Sequence, residues 1–265
     1  MKTVLTMKWG TEFPPHYVNI LYDAVLSNIS GPIRFVCLTD DDDGIRPEVE
    51  CFDIPDLSLE KSRYDFGAWP KLCVYSETLY DLKGRVLFID LDTIINGNLD
   101  PFFEYEGDFC ALLAWPNWKV KLGIKRFEAK PGTGVFAFNI GEQVQILDNF
   151  MSDKEGAFAT YQNEQQFLHA HVRGLRFWPA EWVISFKRHL RQGPILDRLF
   201  KPMAPKPENL IVAFHGNPRP HCLVPEENQQ WAKWPRNGRG AVDWVRKNWL
   251  QYDYKDAAKF LKFTR

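Results

Sequence analysis

Apolar and polar positions along this chain fall into blocks that read in turn as strands and as amphipathic helices. Thr3 to Lys8 is an apolar-rich run closed by Trp9-Gly10 and predicts a first strand. After the Pro14-Pro15 breaker, Val18, Leu21, Tyr22, Val25 and Ile29 recur at the spacing of one helix face. Ile33 to Leu38 predicts a second strand and Val49 to Ile54 a third, followed by a polar loop through Tyr64-Asp65-Phe66-Gly67. Trp69-Pro70-Lys71 opens the next predicted helix with proline in the first turn, and Leu72, Tyr75 and Leu79 keep one of its faces apolar. The run from Arg85 to Ile89 predicts a buried strand, which stops on Asp90-Leu91-Asp92 and is followed by the turn Asn96-Gly97-Asn98. Further strands are expected at Phe109 to Ala114 and Val135 to Asn139, and further helices at Val144 to Phe150 and Gln165 to His171. Leu210 to Phe214 is a last apolar strand, ending at His215-Gly216.

The order β-α-β-β-α-β up to Asp92 predicts an α/β sandwich around a mostly parallel sheet. The Pro-rich stretch from Lys201 to Pro207 reads as a stiff connector, and no repeat or low-complexity tract appears. The chain reads as one domain with an irregular, aromatic-rich C-terminal extension.

Composition narrows the function. A formal net charge of -1 argues against a duplex nucleic-acid partner, which would normally demand a basic footprint. Basic residues do cluster with aromatics between Lys187 and Arg198 and from Trp231 to Arg265, where a polyanion, an anionic membrane or plain solvent would each fit. Cys37, Cys51, Cys73, Cys110 and Cys222 are widely separated and read as reduced core residues. No apolar run is long enough to span a bilayer, so the expectation is a cytoplasmic protein, peripheral at the inner membrane face at most.

The chemistry is expected at strand ends, because open α/β sheets bind ligands beyond the carboxyl ends of their strands. Two carboxylates one residue apart, Asp90 and Asp92, suit a divalent cation that clamps a phosphorylated substrate; a solvated turn capped by an aspartate is the plainer reading. His215 follows the last strand, so an imidazole would join the two carboxylates in a set suited to Mn²⁺ or Mg²⁺. The Asp40 to Asp43 run reads as a solvated turn, since successive carboxylates do not converge on one ion.

Five segments in order resemble the GT-A-fold glycosyltransferases, in particular the glycogenin and bacterial galactosyltransferase group. Asp90-Leu91-Asp92 resembles that group's aspartate-any-aspartate strand, and Trp69-Pro70-Lys71-Leu72 its preceding helix. Gly132-Thr133-Gly134-Val135-Phe136 resembles its asparagine-serine-glycine strand, with Gly132 where asparagine is usual. Asn163-Glu164-Gln165 resembles its aspartate-glutamine pair, with Glu164 in place of the aspartate, and His215-Gly216 through Arg219-Pro220 its late histidine-glycine and lysine-proline signature. The resemblance implies a single-domain GT-A fold, a Rossmann-like mixed and mostly parallel sheet flanked by helices, over residues 1–221, with residues 222–265 a helical extension packed on or beside it.

It also implies a retaining, metal-dependent transfer of a hexose from a uridine diphosphate sugar to a glycan, lipid-linked or small-molecule hydroxyl. Asp90 would contact the ribose or the metal, and Asp92 and His215 the Mn²⁺ or Mg²⁺. Lys71 and Arg219 would balance phosphate charge, or else be surface bases. Glu164 would position the donor sugar or stabilise positive charge at its anomeric carbon, or else be a helix N-terminal acid. Gln165 would bond a sugar hydroxyl. Thr6, Lys8 and Thr11 are where the group's base and ribose contacts arise, although Thr11 reads equally as a helix cap. Trp178 to Trp182 and Ser185-Phe186-Lys187 would wall the acceptor or donor-sugar site, although Trp178 reads equally as a core residue. Two other readings share these residues: a non-catalytic nucleotide- or glycan-binding protein on a degenerate transferase fold, and a phosphatase of the haloacid dehalogenase type using Asp90 and Asp92.

Overall fold

The structure is a computed structural model, and it describes residues 1–116, 123–124, 126–193, 196–225, 230–234 and 237–252. In chain order it contains β1 (Lys2–Lys8), α1 (His16–Leu26), β2 (Ile33–Thr39), β3 (Glu50–Asp53), α2 (Lys61–Asp65) and a 3-10 helix at Trp69–Tyr75. There follow β4 (Arg85–Ile89), β5 (Thr93–Ile95), α3 (Asp100–Glu104), β6 (Phe109–Leu113), β7 (Pro131–Asn139), α4 (Val144–Ser152), α5 (Lys154–Thr160) and α6 (Glu164–His171). The chain continues with β8 (Leu175–Phe177), β9 (Val183–Ser185), β10 (Ile211–Ala213) and α7 (Asp243–Tyr252).

Seven strands form one sheet in the order β3-β2-β1-β4-β7-β6-β8. All its pairings are parallel except those of β7, which runs antiparallel to both β4 and β6. Both faces are covered, which is why the strands read as continuous apolar runs. Strand alternation sends Val4, Leu87, Ile89, Val135 and Ala137 to one face, where they pack with α1 residues Tyr17, Val18 and Leu21. Leu5, Met7, Val86, Phe88, Phe136 and Phe138 go to the other, against Trp69, Tyr75, Phe150 and Phe167. Phe88 and Phe136 stack face to face with ring centres 4.7 Å apart, one step behind the acid-bearing strand end.

Three expectations change. The segment opened by Trp69 is a 3-10 helix buried on every side, not an amphipathic α-helix reaching Leu79. Ala68 before it takes a left-handed backbone (φ 53°) and fixes its entry. Tyr64 and Asp65, expected in a loop, end the short helix α2. The last strand, β10, lies outside the main sheet, in a second sheet of order β5-β10-β9. Ile94, Ile184, Phe186, Val212 and Phe214 fill the core beneath that small sheet together with Leu223, Trp231, Val242 and Val245 of the C-terminal extension. Residues 226–229, 235–236 and 253–265 of the extension expected at 222–265 lie outside the described residues.

Candidate active site

A cleft of about 530 Å³ opens at the carboxyl ends of β1 and β4. Asp90, Leu91 and Asp92 line its floor, Lys71 comes from the 3-10 helix, Glu164 and Gln165 from the start of α6, and Gly216 and Arg219 from the loop after β10. Six of the expected site residues thus meet in one cavity.

Local structure explains how. Asp90 N–H donates to the carbonyl of Gly134 at 2.8 Å, continuing the β4–β7 ladder one residue beyond the strand and fixing where the first carboxylate points. Gly134 has no side chain, and a Cβ there would lie 3.4 Å from Asp90 Oδ2. Asn163 caps α6 by accepting Gln166 N–H at 2.9 Å, and Glu164 N–H donates to the carbonyl of Gly67 at 2.9 Å. Glu164 is therefore held in the first turn, buried, with Thr133 Oγ1 donating to its Oε1 at 2.5 Å.

Lys71 is buried and balances this acidic floor. Its Nζ lies 2.5 Å from Asp90 Oδ1 and donates to the carbonyl of Thr133 at 3.4 Å. Burial alone would lower its pKa, but Asp90, Glu164 and Asp92 outweigh that and the net direction is up, so the ammonium stays charged. Burial pushes Asp90 up, and Lys71 pulls it back. Asp92 is pushed up to about 7, by burial first and then by the Asp90 charge. Glu164 is also pushed up to about 7 by burial, against the pull of Lys71 and Thr133.

The second sheet places His215 in the segment next to Asp92. β10 runs antiparallel to β5 and Phe214 N–H donates to the carbonyl of Asp92 at 2.9 Å, but the His215 side chain is not among those that line the cleft. A shared edge of the main sheet is not what joins the two segments. The imidazole stacks on Trp115 with ring centres 5.2 Å apart, and its Nε2 lies 2.7 Å from Ser185 Oγ. Desolvation of the ring and the neighbouring Lys187 and Arg188 charges push it down to about 4, so it is neutral.

Arg219 lines the cleft but is engaged. It pairs with the Glu12 carboxylate, donates to the Glu12 carbonyl at 3.1 Å, and lies 4.2 Å from the Phe13 ring centre. Thr6, Lys8 and Thr11 are not part of the cleft wall. Thr6 is fully buried and its hydroxyl donates to the Ile89 carbonyl at 2.7 Å, while Lys8 Nζ donates to the Asp41 carbonyl at 2.8 Å. Thr11 is exposed on the loop beyond and does not cap α1. Met7, Trp9, Glu12 and Phe13 line the cleft instead, together with Tyr64 and Asp65, and Trp9 Nε1 donates to the Tyr64 carbonyl at 3.0 Å. Sequence reasoning did not single these out; Trp9 and Tyr64 carried the one available signal, large aromatics beside turn glycines.

No protein-family model matches the chain, and no curated protein matches it in sequence. Solved structures do match. The galactosyltransferase LgtC, solved with donor and acceptor sugar analogues, aligns over 98% of this chain and 100% of its own, with 13% identity and a TM-score of 0.61. The bifunctional glycosyltransferase WbbM aligns over 98% of this chain and 51% of its own, with 12% identity and a TM-score of 0.61. Mouse xyloside xylosyltransferase 1 aligns over 81% of this chain and 97% of its own, with 11% identity and a TM-score of 0.52. The chain has the GT-A glycosyltransferase fold.

Within that fold, Trp178 packs in the core against Phe102 and Tyr105, and Phe186 stacks on Phe214 at 4.6 Å, so neither is an open sugar platform. A second, smaller cavity of about 160 Å³ lies between Trp115, Pro116, Trp178, Pro179 and His189, adjoining the His215 stack. The GT-A cleft also fits a divalent cation chemically. Asp90 and Asp92 are two carboxylates that repel each other in its floor, and the neutral imidazole of His215, which does not line the cleft, follows in the next segment of the small sheet. Among the described residues, no three His, Cys, Asp or Glu side chains gather where they could hold one metal ion; Asp90 pairs with Lys71, and His215 lies against Ser185.

Proposed function

We propose that this protein transfers a hexose from a nucleoside diphosphate sugar, uridine diphosphate in the first instance, to a hydroxyl of a glycan, lipid-linked or small-molecule acceptor, with retention of anomeric configuration. One observation carries the reading: Lys71, Asp90, Asp92, Glu164 and Gln165 line one cleft, in a chain that aligns over 98% of its length with a galactosyltransferase structure. In such a transfer the bond from the anomeric carbon to the diphosphate oxygen breaks and one to the acceptor oxygen forms. Positive charge grows on the sugar and negative charge on the departing diphosphate.

The residues present match those two charges. Asp90, Asp92 and His215 would hold Mn²⁺ or Mg²⁺, which when bound neutralises the diphosphate. Lys71 keeps the acid pair compact and adds a fixed positive charge beside it. Glu164 would turn its carboxylate to the anomeric carbon, and Gln165 would bond a sugar hydroxyl. Arg219 is held by Glu12 at the cleft mouth, so its approach to phosphate requires that pair to open. The phosphatase reading calls for a different fold from the one observed.

A thermal-shift panel of nucleotides and sugar nucleotides with and without Mn²⁺ tests the proposal, followed by release of free sugar from the stabilising donor. A ligand that binds the folded state raises the apparent melting temperature by mass action. Stabilisation by uridine diphosphate that requires Mn²⁺, together with slow donor hydrolysis, is the expected result. Turnover of simple phosphate monoesters without any nucleotide binding would overturn it, and metal-dependent nucleotide binding with no sugar release or transfer would point to the non-catalytic reading.

A further inference from the structure

Of the charged side chains that line the cleft, two are basic, Lys71 and Arg219, and five are acidic, Glu12, Asp65, Asp90, Asp92 and Glu164. Both bases already face a carboxylate. Lys71 Nζ lies 2.5 Å from Asp90 Oδ1, and Arg219 pairs with Glu12. An anionic ligand therefore meets, among the described residues, no cation in this lining that it does not have to share. The two pairs differ in whether a partner is able to leave. The Lys71–Asp90 pair is built into the floor, its side chains 9% and 27% exposed. In the other pair the Arg219 side chain is 15% exposed and that of Glu12 66%.

Arg219 is fixed from several sides. Its carbonyl accepts Cys222 N–H at 3.1 Å and opens the 3-10 turn Pro220–Leu223, in which Pro220 and Leu223 are buried. Its guanidinium lies 4.2 Å from the Phe13 ring centre, and Phe13 packs edge-on against buried Tyr17 with ring centres 5.1 Å apart. Nη1 donates to the Glu12 backbone carbonyl at 3.1 Å, a contact that does not depend on the Glu12 side chain. Nε is buried and has no hydrogen-bond partner among the described residues. Only the Glu12 carboxylate stands largely in solvent, where water compensates it once it turns away. A phosphate oxygen accepts from a guanidinium as a carboxylate oxygen does, so one anion can replace the other while Arg219 stays in place.

We propose that Glu12 is an internal counter-ion that competes with the diphosphate of the ligand for Arg219. The carboxylate holds the guanidinium before a ligand arrives, turns into solvent when a diphosphate oxygen takes its place, and returns as the nucleoside diphosphate product leaves. Glu12 thus weakens the hold on donor and on product alike and leaves ligands without phosphate unaffected. The exchange is ionic, and no covalent bond forms or breaks in it. This inference rests on the reading of the cleft as a diphosphate site.

Glu12→Gln tests it, since the amide keeps the length and the hydrogen bond to Arg219 and deletes the charge on a side chain exposed enough to leave folding intact. Calorimetry with and without Mn²⁺ uses three probes: inorganic pyrophosphate, uridine diphosphate and uridine. The variant should bind both diphosphates roughly fivefold more tightly than the parent, the scale of one partly exposed ion pair, and uridine no differently. The gain should shrink as salt rises and largely vanish in an Arg219→Met background, where no guanidinium is left to release. Inhibition of donor turnover by uridine diphosphate should strengthen by a similar factor. Diphosphate binding by the parent with no gain in Glu12→Gln, or with the full gain kept in Arg219→Met, overturns the counter-ion role and leaves the sugar-transfer reading standing. Tighter pyrophosphate binding without binding of any uridine nucleotide keeps the counter-ion role and overturns the uridine nucleotide-sugar reading. Absence of diphosphate binding by both parent and variant overturns both.

Discussion

Lys71 Nζ and Asp90 Oδ1 lie 2.5 Å apart in the cleft floor, with Glu164 and Asp92 also acting on the same ammonium. One buried cation therefore holds three acids together. Replacing Lys71 with methionine keeps its length and deletes its charge, which leaves the acids uncompensated. Removing one partner of a buried pair costs about 3–5 kcal/mol. For a chain of this size each kcal/mol lowers the melting temperature by about 2–4 °C. Lys71→Met should therefore melt well below the parent at pH 8 and recover part of the loss at pH 5, where the acids take up protons. Equal melting temperatures at pH 8 would show that the ammonium does not organise the floor.

Asp92 separates stability from ligand binding. Its folded pKa of about 7 lies above its ordinary value, so the favourable contribution of the protonated form is complete below the unfolded value and is lost as pH rises through about 7. Asp92→Asn removes that loss. The variant is expected to melt no lower than the parent at pH 8, and to lose Mn²⁺-dependent binding of uridine diphosphate by tenfold or more, on the order expected for deleting a metal ligand. Calorimetry with and without Mn²⁺ reads the binding, and unchanged affinity would remove Asp92 from the proposed cation site.

How much of this was legible beforehand depends on the kind of signal each part leaves in the chain. β1, β2, β4 and α1 carry long apolar periodicities, because burial on one or both sides demands them, and they lie within a residue or a few of where the pattern put them. Asp90 and Asp92 were visible because they interrupt such a run. β5, β8 and β9 have three residues each, too few for any period; β5 and β9 flank β10, which leads into His215, and β8 completes an edge of the main sheet. Glu12 and Arg219 meet across 207 positions, a contact that no local pattern encodes. Thr6 shows the opposite failure. Its residue type and place at a strand end suggested a ligand contact, yet its buried hydroxyl is satisfied by the Ile89 carbonyl of β4, the neighbouring strand of the same sheet.

Two glycines of the same strand should respond differently to substitution. A Cβ on Gly132 would lie 2.3 Å from Leu112 Cδ1, inside the core, so Gly132→Ala is expected to cost about 1–3 kcal/mol through overpacking. A Cβ on Gly134 meets only Asp90 Oδ2, at 3.4 Å, and Leu112 Cδ2, at 4.0 Å. Gly134→Val should then leave the melting temperature nearly unchanged while lowering donor turnover, since its branches crowd the Asp90 carboxylate. Paired thermal and activity assays check both, and a large stability loss at Gly134 would contradict the placement.

Glu164 joins the acid floor to the proposed chemistry through its protonation state. Burial lifts its pKa to about 7, and the folded protein accordingly keeps a proton that the unfolded chain releases near pH 4.5. That difference favours folding fully below about pH 4.5 and disappears as pH rises through about 7, where the buried carboxyl must ionise next to Asp90. Glutamine keeps the shape and accepts the Thr133 hydroxyl without ever ionising. Glu164→Gln is thus expected to match the parent in stability at pH 5 and to exceed it at pH 8 by about 1–2 kcal/mol. Its rate should move the other way. If the ionised carboxylate faces the anomeric carbon, loss of its charge should lower donor turnover on the order of a hundredfold, while uridine diphosphate affinity is retained because Glu164 is not placed on the diphosphate. A variant that is more stable at pH 8 and still fully active would keep Glu164 as a buried structural acid and move the sugar-facing role to Gln165.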